Sequence, residues 1–167
     1  MKCSFNYNYN AAIGVFGTTS NLKVRDNVVY RAFDNGAVDK ASDNVWINNL
    51  VAYVIFAGTH LNRAKSMEFH HCYSIEKARG ITFKNNVAAG CERGGIRTEG
   101  EVCGNMDWTG NEVHGCMHGV RILNANPHYG NTKCASLSGF FVWAVYDYAF
   151  FLNDNNQIEF SNNVVAD

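Results

Sequence analysis

Proline is almost missing from this 167-residue chain, which has one, Pro127. Charge is scarce too: 17% of residues are Asp, Glu, Lys or Arg, and the formal net charge is −1. So weak a field excludes an electrostatic partner such as nucleic acid or an anionic membrane surface. No apolar run reaches the ~18 residues of a membrane span, and no basic-then-apolar leader opens the chain. Neither a transmembrane helix nor a signal peptide is therefore read within it. The six cysteines (Cys3, Cys72, Cys91, Cys103, Cys116, Cys134) form no CxxC and match no zinc-ligand spacing. There is no Asn-x-Ser/Thr acceptor, and no glycine cluster is followed by the Lys-Ser/Thr of a phosphate loop. No cofactor and no metal site is expected. What the chain does have is 15 glycines and 13% aromatic residues, a mix that favours strands and tight turns over helices.

It also repeats one phrase. "VRDNVV" (24–29), "WINNLV" (46–51), "FKNNVA" (83–88), "WTGNEV" (108–113) and "FSNNVV" (160–165) carry the same marker asparagine: Asn27, Asn49, Asn86, Asn111 and Asn163. A degenerate copy, "LSGFFV" (137–142), puts Phe140 at that position. Successive markers are 22, 37, 25, 29 and 23 residues apart. A recurrence of roughly 20–50 residues points to a solenoid. The longer steps place insertions at about 59–74 and 125–134.

The register extends beyond the marker. Three residues before it the side chain is always apolar: Val24, Trp46, Phe83, Trp108, Leu137, Phe160. Five before it stand Leu22, Ile81, Met106, Ala135 and Ile158, with Asn44 the exception. Two before it the residue is polar in every copy except Ile47. This alternation of period two makes each copy begin with a strand whose −5 and −3 residues face inward. A small residue follows the marker by eight or nine: Gly36, Gly58, Gly95, Gly119, Ala149. Strand, asparagine bend, short strand, glycine turn, strand is one coil of a parallel β-helix. The expected fold is all-β: a right-handed parallel β-helix of about five to six coils, filling residues 1–167 as a single section. The marker is expected to adopt the left-handed bend conformation and to bond its counterparts above and below as a structural ladder. The chain opens on "CSFNYNYNAAIGVFG" and stops at "FSNNVVAD" with no capping helix, so it reads as an uncapped section of a much longer protein.

Chemistry-bearing residues are few. Cys91 and Cys116 both follow their marker by five, so they share a slot on neighbouring coils. There they form either a disulfide or a pair of small buried residues. Two residues after the small residue, an outward column supplies His60, Arg97 and Arg121, with Glu99, Glu101 and Asp39 nearby. That column is a candidate stripe for an acidic glycan or other anion, or a solvated face. Tyr30, Tyr53, Trp143 and Tyr146 are candidate exposed sugar platforms. His70 and His71, adjacent on an extended segment, point opposite ways and make a poor metal pair.

"GVFGTTSNLKVRDNVVYRAFDNG" (14–36), "ITFKNNVAAGCERGGIRTEGEVC" (81–103) and "CASLSGFFVWAVYDYAFFL" (134–152) carry a resemblance. Together with Gly100, Glu101 and Cys103, and with Trp143, Asp147 and Tyr148, they resemble the parallel β-helix region of fibrocystin and fibrocystin-like proteins. The resemblance spans roughly residues 10–167. It implies a very large extracellular single-pass membrane protein with G8 domains, associated with cilia or stereociliary coats. It implies no catalytic residues here. Cys103 and Cys134 match cysteine positions of that family, which implies a bridge between them. The expected role is a non-catalytic rigid spacer or binding surface at the cell surface. Its partners are the flanking coils of the same polypeptide, other cell-surface proteins or glycans, or a second copy of the chain. The alternative is a β-helix that binds or cleaves an acidic glycan such as hyaluronan.

Overall fold

The computed structural model describes residues 2–55, 70–76, 80–99, 107–123, 135–153 and 158–167. Every element in it is a strand. In chain order these are β1 (Ser4–Asn8), β2 (Ile13–Val15), β3 (Lys23–Arg25), β4 (Val28–Phe33), β5 (Ala37–Asp39) and β6 (Val45–Ile47). Next come β7 (Leu50–Ile55), β8 (His71–Glu76), β9 (Thr82–Lys84), β10 (Val87–Ala89), β11 (Gly94–Glu99) and β12 (Asp107–Thr109). The last seven are β13 (Glu112–His114), β14 (His118–Leu123), β15 (Ala135–Ser138), β16 (Phe141–Trp143), β17 (Tyr148–Asn153), β18 (Ile158–Ser161) and β19 (Val164–Ala166).

Every third strand joins the same sheet. Sheet A is β1-β4-β7-β10-β13-β16-β19, sheet B runs from β2 to β17 and sheet C from β3 to β18. All pairings are parallel. The chain is a parallel β-helix, each coil passing once through sheets C, A and B and lying about 4.8 Å from the next.

The inward column of sheet C is the one the alternation marks: Val24, Trp46, Phe83, Trp108, Leu137 and Phe160 pair in register. Trp46, Phe83, Trp108 and Leu137 are buried, while Phe160, on the last strand of the sheet, is 38% exposed. Phe83 and Trp108 rings lie 5.0 Å apart, and Tyr73 from sheet B meets Phe83 edge-on at 5.1 Å. The Tyr73 hydroxyl crosses the core to donate to the Asn49 carbonyl at 2.9 Å. That bond satisfies the one polar atom this ring buries.

The Asn-Asn dipeptide divides two tasks between its residues. The left-handed residue is the one before the marker: Asp26, Asn48, Asn85 and Asn162 have φ of 58°, 55°, 52° and 55°, with Gly110 and Gly139 in the other copies. The marker itself is not in that region, contrary to the expectation that it forms the bend. It bonds instead. Oδ1 of Asn49 accepts from the backbone N–H of Asn27 at 3.1 Å and from its Nδ2 at 3.0 Å, while Nδ2 of Asn49 donates to the Val24 carbonyl at 3.0 Å. Asn86 does the same for Asn49 and Trp46, and Asn111 for Asn86 and Phe83. Asn163 accepts from the N–H of Phe140 at 2.9 Å and donates to the Leu137 carbonyl at 3.1 Å. A residue without an amide thus interrupts the side-chain ladder, yet the coil beyond it still secures its backbone.

The other corner falls four residues after the marker, where Arg31, Tyr53, Gly90, Gly115 and Ala144 have positive φ. Gly36, Gly95 and Gly119 are not turn glycines. They lie where a sheet B strand begins, packed against the coil beside them. A Cβ on Gly36 would collide with Val51 and come within 2.8 Å of the Cys72 carbonyl. In the coil marked by Asn49 the matching slot belongs to Cys72, since Ala37, Tyr73 and Ile96 share one register position. Gly58 lies outside the described residues. Residues 71–74, expected inside the first insertion, are strand β8. Residues 125–134 lie outside the described residues.

Candidate functional site

Sheet B differs from the other two in being buried well beyond its inward column. His71, Ser74 and Arg97, off that column, are all at most 2% exposed. The column predicted to carry ligand contacts reads Gly14, Val38, Ser74, Arg97, Arg121, Phe151. Ser74 stands where His60 was placed, because the insertion shifts the count; His60 lies outside the described residues. Arg97 and Arg121 are direct neighbours. Like charges on neighbouring strands repel, and each is stabilised differently. Arg97 pairs with Glu99 and, at 3.4 Å, with Glu76, which also holds Lys40 at 2.9 Å. The Arg121 guanidinium lies 5.3 Å from the centre of the Phe151 ring.

Asp39, expected near the outer stripe, is turned inward and 1% exposed. It accepts from the Trp46 indole N–H at 2.7 Å, the Ala41 N–H at 2.9 Å and the Asn44 amide at 3.3 Å. Asn44, the one polar residue in an otherwise apolar column, is thereby explained. Its Oδ1 accepts from the Leu22 N–H at 3.0 Å, which turns its NH₂ toward Asp39.

A cleft of about 280 Å³ opens beside Arg121, lined by Arg93, His118, Asp147, Tyr148 and Phe151, with buried His71 at its back. Four successive coils supply it, His71 opening β8. Arg93 precedes β11, His118 and Arg121 lie on β14, and Tyr148 and Phe151 lie on β17. His118 stacks on Tyr148, centroids 4.4 Å apart and planes 8° from parallel, and Tyr148 meets Phe151 at 4.9 Å. His118 Nδ1 is 3.3 Å from Asp147 Oδ2. Burial lowers the His118 pKa; Asp147 opposes that shift, and Arg121 and Arg93 add to it. Arg121 and Phe151 belong to the predicted column, His118 and Tyr148 share a second slot, and Arg93 and Asp147 precede their strands, so no single offset from the marker finds them all.

The exposed aromatics are dispersed. Tyr30 and Tyr53 stack at 6.1 Å, and Arg31 sits over Tyr7 and Tyr53 at 4.9 and 5.9 Å. Trp143 instead stacks on His114 at 4.3 Å and donates to Glu112 at 2.9 Å. Tyr146 is 87% exposed. His70 pairs with Asp34 at 2.6 Å. Among the described residues no group of three His, Cys, Asp or Glu is placed to hold a metal ion.

Cys91 is bonded to Cys72, Cα–Cα 5.7 Å, and not to Cys116. The shared slot does stack Cys91 and Cys116. In that stack, however, the Cys116 sulfur accepts from the Cys91 N–H at 3.4 Å and donates to the His114 carbonyl at 3.2 Å. Cys72 reaches Cys91 because it fills a glycine slot at the head of its strand, facing the corner that Cys91 occupies in the next coil. Cys103 and Cys134 lie outside the described residues. Burial pushes the Cys116 thiol up to about 11. A non-reducing peptide map is expected to link Cys72 with Cys91. Iodoacetamide on the native protein should alkylate exposed Cys3 and leave buried Cys116 untouched until denaturant is added. A Cys91–Cys116 peptide would refute the assignment.

No family model matches the chain. Fibrocystin-L of Homo sapiens is 30% identical over 172 aligned residues, which cover 99% of this chain and 4% of that protein. Fibrocystin-L of Mus musculus is 30% identical over 167 residues, covering 96% and 4%. Fibrocystin of Canis lupus familiaris is 28% identical over 147 residues, covering 86% and 3%. The chain therefore spans about 4% of the length of the fibrocystin-L relatives it matches. With similarity running through nearly all of its coils and shared with both related proteins, the chain belongs to the fibrocystin-like family.

Proposed function

We propose that this chain is a non-catalytic stretch of rigid β-helical rod in the extracellular part of a large, membrane-anchored cell-surface protein, serving as spacer and interaction surface. The observation that carries the reading is the register: Val29, Val51, Ala88, Val113, Val142 and Val165 follow one another through sheet A without a slip, across insertions of different length. Repeats held only by their neighbours make length proportional to coil number, which is what a spacer requires. The Cys72–Cys91 bridge fits an oxidising, exported compartment. The family resemblance extends the proposal to a ciliary or stereociliary membrane. Cleavage of a glycan would need two carboxylates converging on one sugar. Glu76 and Glu99, which share a register position, are both committed to Arg97, so binding is favoured over cleavage.

Excising residues 87–111 removes one repeat, the 25-residue step from Asn86 to Asn111. The shortened chain is expected to fold with one rung fewer, Cys116 now filling the place of Cys91 against Cys72. Small-angle scattering and a Cys72–Cys116 peptide would report this, whereas an unfolded product would defeat the rod reading. In cells, an antibody to this region should label the full-length protein without permeabilisation. Labelling only after permeabilisation would rule out the extracellular placement.

A further inference from the structure

We propose that the cleft between β11, β14 and β17 binds the carboxylate-bearing ring of an acidic sugar, held by Arg93 and Arg121 against a shelf formed by Tyr148 and Phe151. The proposal adds a ligand to the interaction surface named above. Its test reads the cleft alone, so failure here leaves the rod standing.

Two kinds of recognition meet in this space. Arg93 and Arg121 both line the cleft, and a guanidinium's five N–H donors let Arg121 take a ligand oxygen beside the contacts it already makes. A guanidinium fork matches a carboxylate with two parallel hydrogen bonds, which makes the pair both strong and directional. The apolar half is the Tyr148–Phe151 pair, tilted by 35°. With His118 stacked on Tyr148 and Arg121 over Phe151, the pair offers its ring edges as an apolar wall to the C–H surface of a pyranose, and ligand sites commonly combine such walls with a few convergent polar groups. Asp147, 53% exposed at its side chain, and the His118 imidazole border the same space and suit ring hydroxyls, one as acceptor and one in either role. The cleft's volume of about 280 Å³ is near the lower bound for small-molecule pockets, the scale of one sugar residue. The arrangement also supplies its own reporter. The charged and titratable groups facing His118 are Asp147, Arg121 and Arg93, with Tyr148 stacked on it and His71 behind. A bound carboxylate would oppose the two guanidinium groups, so the imidazole would take up its proton at higher pH.

The test is an NMR titration of the full chain with glucuronate, following the His118 ring. Glucose supplies the ring without the carboxylate, and acetate the carboxylate without the ring. Glucuronate is expected to bind saturably with a Kd of about 1 mM, at least tenfold tighter than either control. At saturation the His118 titration midpoint should move upward. Arg121→Ala and Arg93→Ala should each weaken binding about tenfold, and Arg121→Lys, which keeps the charge and loses the fork, by less. Arg93 donates to Met117 Sδ at 3.6 Å, a weak contact, so its variant is expected to fold and to read the site even if Arg121→Ala does not. Equal binding of acetate or glucose, or unchanged affinity in both folded alanine variants, would overturn the proposal.

Discussion

Asn86→Ala is expected to lower the unfolding free energy by about 3–5 kcal/mol, and Asn85→Ala, one residue earlier, by about 1 kcal/mol. The asymmetry follows from what each side chain does. Asn86 is fully buried, and its amide makes four hydrogen bonds. Oδ1 accepts from the Asn49 N–H at 3.0 Å and Asn49 Nδ2 at 2.9 Å; Nδ2 donates to the Trp46 carbonyl at 3.0 Å and Asn111 Oδ1 at 3.3 Å. Alanine deprives two buried backbone groups of these partners, and each such loss costs about 1–3 kcal/mol because no water replaces them. The two flanking asparagines keep other bonds: Asn49 Nδ2 still reaches the Val24 carbonyl, and Asn111 Oδ1 still receives the Asn86 N–H at 2.9 Å. Asn85, by contrast, contributes a backbone conformation, φ 52°, that alanine adopts only with strain and glycine adopts freely. Glycine therefore separates the two roles, tolerated at 85 and damaging at 86. Urea denaturation reads the difference, and hydrogen exchange at the Asn49 amide localises it. Were Asn85→Ala the more damaging of the two, the division of labour within the dipeptide would be wrong.

That division was only half legible in the sequence. The repeated Asn and its spacing announced the coil, the three-sheet stack and the inward aromatic column, because a period of two on either side of a fixed corner admits few other arrangements. Which of two adjacent asparagines turns and which bonds is not encoded in residue type, since both suit either task; it depends on where the corner falls relative to the strand before it. The glycines misled for a related reason. Gly36, Gly95 and Gly119 recur at a fixed offset because a neighbouring backbone or valine methyl leaves no space for a Cβ, and not because the chain turns there. Counting offsets also failed where a coil carries an insertion. Gly58 was assigned a slot that Cys72 fills, and that single shift hid both the true partner of Cys91 and the place of Ser74 in the Arg97 column. The cleft was harder still. Arg93, His118 and Tyr148 precede or open their strands, on three coils, and only stacking those coils assembles them.

Asp39 carries the other large effect: Asp39→Ala is expected to cost about 4 kcal/mol, and Asp39→Asn less. This carboxylate lies inside the coil, 1% exposed, and among the described residues no cation pairs with it. Its partners are neutral donors: the Trp46 indole, the Ala41 N–H and the Asn44 amide. Alanine leaves all three without an acceptor in the interior. Asparagine restores one oxygen but directs its own NH₂ at a donor, and Asn44 is not free to turn, since its Oδ1 serves Leu22. Burial dominates the electrostatics and raises the Asp39 pKa above its ordinary 3.8, with the bonds from Trp46, Ala41 and Asn44 opposing the shift only in part. The sign of the pH dependence follows. The unfolded chain loses this proton at lower pH than the folded one, so as pH rises from 3.8 through the folded value the group's contribution to stability declines, then levels off. Most acids with charge partners behave the opposite way. Unfolding free energies of wild type and Asp39→Asn, measured across the acid range and subtracted, cancel the other titrating groups. The difference should favour the wild type most at the acid end and fall with rising pH. A difference that grows with pH would mean that the three donors outweigh burial, and that the carboxylate is held by its hydrogen bonds as a stable interior anion.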